Sequence, residues 1–179
     1  VEGQQYTIHR LFLFRDSPVL REMFTGLSDA LPDHPYTLTG VTKDEFEHLL
    51  WVYYNPQIEY YRAPMATWRD ILKLAEMWRM TQIQHLAINH LLSATPLGPI
   101  ERIMLCERDG RHRSEANAAY LEVCARQEPL TTGEFQALSM DVVLLIMQMR
   151  EKILINRREP DNELRDEDIV KRTIGLPPG

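Results

Sequence analysis

Cysteine is scarce: Cys106 and Cys124 are the only two in 179 residues. That excludes a disulfide framework and a thiolate metal cluster, and two distant thiols fit reduced, buried side chains of an intracellular protein better than a disulfide between them. None of the eight glycines stands in a Gly-x-Gly or Walker arrangement, so no loop is built to cradle phosphate. No apolar run approaches the roughly 18 residues that a membrane span needs. Positive charge is also in deficit, with 20 Lys and Arg against 26 Asp and Glu. The net charge of -6 argues against nucleic-acid binding as the main activity, because that footprint needs clustered cations. The opening Val1-Glu2-Gly3 lacks the basic-then-apolar pattern of a signal peptide and has no initiator Met. It reads as the start of a fragment of an intracellular protein, nuclear or cytoplasmic without distinction.

Residue sets for catalysis or metal binding are equally thin. The six histidines are His9, His34, His48, His85, His90 and His112. A helical metal pair wants a spacing of three or four, and His85 and His90 are five apart, so neither a metal nor a cofactor is expected. No Gly-x-Ser-x-Gly motif occurs. Cys106 is followed by Glu107, whose carboxylate disfavours a thiolate. Cys124 lies between Val123 and Ala125, as a packed core thiol would. Arg102, Arg108, Arg111 and Arg113 are interleaved with Glu101, Glu107 and Asp109, which is the pattern of a solvated face. The chain does not read as an enzyme.

What is present is a folded composition, 44% hydrophobic and 26% charged, long enough to bury a core without staples. Tyr6 and Ile8 alternate with polar neighbours, as in a half-buried strand. Val1 would be the last residue of an earlier strand, with Glu2-Gly3 as the hairpin turn. Leu11 to Phe14 is apolar all round. Ser17-Pro18 then predicts an N-cap and first helical residue, with Val19, Leu20, Met23 and Phe24 on one face and Gly26 at the end. Tyr36-Thr37-Leu38 reads as a second short strand. Thr42/Glu45, Thr81/Gln84 and Thr131/Glu134 are three capping boxes. Phe46, Leu49, Leu50 and Tyr53 line a helix stopped by Asn55-Pro56, and Ile71, Leu74, Ala75 and Trp78 line another, which Thr67 opens. Pro96, Gly98 and Pro99 mark a boundary. Beyond it lie a helix over Ile100 to Cys106, another from Ser114 to Arg126, and a strongly apolar one from Asp141 to Leu154. Residues 156–172 mix both charges, as a solvated helix or tail does. Helix far outweighs strand, so the fold class is α+β, predominantly helical, with short strands packed on a helical bundle.

The order of these pieces resembles a BTB/POZ domain. Val1-Glu2-Gly3, Tyr6-Thr7-Ile8-His9-Arg10, the apolar Leu11–Phe14, Ser17 and Met23-Phe24 are similar to the family's strand and short polar turn, second strand, first helix, Ser and following helix. Leu38, Val41, Phe46, Leu49-Leu50 and Tyr54 resemble its next strand and helix, with Asn55 in place of a Thr. Ile71-Leu72-Lys73-Leu74-Ala75-Glu76-Met77-Trp78 resembles its Leu-rich helix, and Ile83, Leu86 and Leu91 the one that closes the domain. The resemblance implies a BTB/POZ-like domain over 1–93. Residues 94–179 resemble the helical extension of many fungal BTB proteins through Pro99–Cys106, Ala119-Tyr120 and Arg126–Thr131.

The resemblance further implies a protein-interaction module, self-associating or binding another protein. Phe12, Leu13 and Val19 are the candidates for self-association, and Trp51 with Tyr54 for a heterologous partner, since aromatic anchors dominate interface energetics. Trp51 is one step off the apolar face of its helix: it is either an exposed anchor or covered by the extension. Three departures bear on this. The family's first strand is missing or reduced to Val1, which removes an element often used in the domain-swapped dimer. The early Asp that partners the residue matching Arg10 goes with it. Trp51 stands where many members that recruit cullin-3 carry an acidic residue. The alternatives are therefore a substrate adaptor of a cullin-type ubiquitin ligase, a BTB-containing transcriptional regulator, or a small enzyme on a helical scaffold. A convergent polar pocket would favour the last.

Overall fold

The computed structural model describes residues 1–25, 35–55, 62–94, 97–110, 112–158 and 164–177. The chain divides into two compact units, Val1–Ala94 and Thr95–Gly179. The described residues are predominantly helical.

In the first unit the helices are α1 (Arg10–Asp16), α2 (Pro18–Phe24), α3 (Lys43–Tyr54), α4 (Met65–Met77) and α5 (Thr81–Ser93). α4 packs between α3 and α5, and α1 joins α2 and touches α5. The apolar spacing explains this order: Phe46, Leu49 and Val52 on α3, Ile71, Leu74 and Ala75 on α4, and Ile83, Ala87, Ile88 and Leu91 on α5 are all buried. Thr42 and Glu45 form the expected capping box, and the Glu45 carboxylate also pairs with Lys73 of α4. That pairing with Lys73, helped by the Thr42 N–H, lowers the Glu45 pKa. Ser17 caps α2 as its sequence predicts, accepting from the Leu20 N–H at 2.9 Å. Its hydroxyl also donates to the Trp78 carbonyl at 2.7 Å, so one fully buried side chain ties the α1–α2 pair to the end of α4.

Two sequence expectations change here. The Thr81/Gln84 capping box does not form: Met80 is the N-cap of α5, without a side-chain cap. The Gln84 amide donates instead to the Ala75 carbonyl at 3.0 Å, near the end of α4. The cause is the tightness of the α4–α5 connection. Met80 N–H bonds back to Ala75 C=O and Arg79 N–H to Glu76 C=O, the pattern of a Schellman motif, with Arg79 at φ +52°. Likewise α4 begins at Met65 rather than Thr67, with Pro64 as its N-cap, whose carbonyl accepts the Trp68 N–H at 3.3 Å.

No strand occurs among the described residues, so both expected strands are corrected. Among the described residues, 4–9 and 36–38 pair with no other segment in a ladder, and a strand without a partner leaves its backbone groups unsatisfied. Over 4–9 the alternation nevertheless survives as orientation. Tyr6 and Ile8 are half-buried and their neighbours exposed. Tyr6 packs edge-on against Phe46 at 5.2 Å and donates to Glu47 at 2.9 Å. The expected helix end at Gly26 and most of the loop from Ser28 lie outside the described residues; α2 ends at Phe24 with Thr25 as its C-cap.

The second unit contains α6 (Pro99–Asp109), α7 (Arg113–Ala125), α8 (Thr132–Ala137), α9 (Met140–Asn156) and α10 (Asp166–Thr173). α6 packs on α7, and α7, α9 and α10 pack on one another. Tyr120 is fully buried on α7 and donates to Glu107 of α6 at 2.9 Å. The Thr131/Glu134 capping box forms, and Glu134 also takes a forked pair of bonds from Arg126 at 2.6 and 2.8 Å. That guanidinium, with the Thr131 N–H, holds the Glu134 carboxyl at about 2. Arg150 of α9 donates to the carbonyls of Arg126 and Glu128, both at 2.9 Å, closing the chain that leaves α7. The charged 156–172 segment is not simply solvated. α10 buries Ile169 and Val170, and Ile174 follows them into the core. The acidic first turn and basic last turn of α10 match the helix dipole.

Candidate protein-interaction surface

The five candidate residues fall into different environments. On α1, Leu13 is 4% exposed and belongs to the core, so its side chain offers no surface to a partner. An apolar run on a two-turn helix must send one residue inward, and Leu13 is the one that faces the unit. Its neighbour Leu11, which the sequence reading left out, is 73% exposed. Phe12 is half-buried and stacks on Tyr53 (centroids 5.5 Å apart, planes 11° apart) while meeting Tyr54 edge-on at 5.5 Å. Val19 is half-buried on α2.

Tyr54 lies at the C-terminal end of α3, exposed on one side. Its hydroxyl accepts the His9 N–H at 2.9 Å and lies 3.0 Å from His9 Nδ1. The His9 ring also meets Phe12 edge-on at 5.9 Å. His9, Phe12, Tyr53 and Tyr54 therefore form one aromatic ledge where α1 crosses the end of α3. Burial, with Asp16 nearby, raises the Tyr53 pKa, and Arg15 beside Asp16 lowers that of the carboxyl. Tyr53 stays a neutral donor and Asp16 an anion.

Trp51 points elsewhere. It is half-buried and packs edge-on against Trp68 of α4 at 5.7 Å. Trp68 in turn stacks flat on His90 of α5 at 4.0 Å. Burial lowers the His90 pKa, so the stack is one of neutral rings. The structure thus joins Phe12 and Tyr54 across α1 and α3, whereas Trp51 serves the α3–α4–α5 side. Of the aromatic run, Tyr60 and Tyr61 lie outside the described residues. An open groove beside the stack is lined by Arg62, Pro64, Met65, Trp68 and His90.

Both cysteines are free and buried, and burial pushes each thiol up to about 11, which leaves them protonated and unreactive. Among the described residues no three His, Cys, Asp or Glu side chains are grouped to hold a metal ion. No helix among them is long and apolar enough to cross a membrane.

The family model of the BTB/POZ domain matches residues 1–95. The chain belongs to the BTB/POZ family. BTB/POZ domains are in general protein–protein interaction modules, and the match ends within a residue of the boundary between the two compact units. The aromatic ledge and the Trp51–Trp68–His90 stack both lie inside the BTB/POZ region. No curated protein and no solved structure matches the chain.

Proposed function

We propose that this protein works by shape-complementary association through the apolar helix faces of a BTB/POZ domain over 1–93, followed by a helical extension over 94–179. Its partner is a second copy or another protein. The observation that carries the reading is the α1 ledge: Leu11, 73% exposed, stands next to Phe12 and Tyr54, whose rings are fixed from behind by Tyr53 and His9. Rigid aromatic groups beside an exposed Leu make a low-entropy anchor, and such groups account for most interface energy. Val19 on the adjoining α2 extends the self-association surface, and Leu13 supports it from the core. Trp51 is a separate anchor for a heterologous partner, beside the open groove along Trp68 and His90.

Light scattering over a hundredfold concentration range tests this. Phe12→Asp should convert a dimer to a monomer. Because Phe12 also packs on Tyr53, Leu11→Asp provides the control that leaves the core intact. If neither substitution changes the mass, the ledge is not the interface. Pull-down with the N-terminal domain of cullin-3 separates the ligase-adaptor reading: retention that Trp51→Ala abolishes would support it.

A further inference from the structure

We draw no further inference here: the strongest candidate, the exposed apolar stripe of α9 formed by Met140, Leu144, Met147 and Leu154, is an unpartnered helix face, and nothing in the structure shows what covers it.

Discussion

The two units spend their apolar residues differently. In the first, α3, α4 and α5 each turn one apolar face inward, and the exposed remainder is scattered: Leu11, Met23, Tyr36, Tyr54 and Met77. In the second, α9 is apolar on two opposite faces, and only one is consumed by α7 and α10. Their junctions differ as well. The first unit locks its helix ends with a buried hydroxyl and a backbone motif, at Ser17 and Arg79. The second uses long cations, with Arg126 forked onto Glu134 and Arg150 spread over the carbonyls after α7. A buried hydroxyl held by two partners is insensitive to salt and pH, whereas an ion pair at a half-exposed junction responds to both. The Ser17 and Arg79 junctions should therefore depend less on conditions than the Arg126–Glu134 junction, or than the Glu45–Lys73 pair within the first unit.

All three Trp residues, Trp51, Trp68 and Trp78, lie in the first unit, so their fluorescence follows that unit while far-ultraviolet circular dichroism follows both. The strongest way to break the comparison is to open a core. Leu74→Ala, at a site with no exposure, should cost about 2–5 kcal/mol and shift the fluorescence transition in urea. Ile146→Ala should cost a similar amount and appear in the dichroism transition. Equal shifts of both probes in both variants would mean that the units unfold as one.

Next in size is Ser17→Ala. It strips the buried Trp78 carbonyl and Leu20 N–H of a partner, and about 1–3 kcal/mol of stability should be lost by urea denaturation. A loss below about 0.5 kcal/mol would show that water replaces the hydroxyl and that the junction is not a lock.

Acid should act more gently, at the Arg126–Glu134 junction. Glu134 is held at about 2 by Arg126, against an ordinary value of 4.5. Its contribution is full above about 4.5 and is lost as pH falls toward about 2, because only the unfolded chain takes up the proton in that window. With the junction partly solvated, the contribution is at most about 1 kcal/mol. Glu134→Gln should flatten the dichroism-detected stability between those two pH values, and an unchanged slope would remove the ion pair from the account.

The smallest effect is a gain. Arg79 sits at φ +52°, where glycine is unstrained. Arg79→Gly should raise the fluorescence midpoint by the equivalent of about 0.5–1 kcal/mol. A loss would mean that the Arg79 side chain holds a contact worth more than the backbone strain.

Much of the helical layout was legible because capping and spacing are local. Ser17-Pro18, Thr42/Glu45 and Thr131/Glu134 mark three helix starts with the side-chain bonds their spacing implies. Thr81/Gln84 carries the same signal and fails, since Gln84 finds a carbonyl of the preceding helix nearer to hand. The ledge was half legible. Residue type singles out Phe12 and Tyr54, but a four-residue apolar run does not say which member faces inward, and the structure buries Leu13 while exposing Leu11.

By itself the sequence determined the family, the helical class and most helix starts, since these rest on residue order and on contacts within three or four positions. Tertiary structure alone decided the rest. Among the described residues it left 4–9 and 36–38 without a strand partner, drew Ile169 and Val170 of a charged segment into a core, and chose which face of the strongly apolar α9 stays outside. Each of these depends on which distant segment arrives, and periodicity along one segment carries no record of its neighbour.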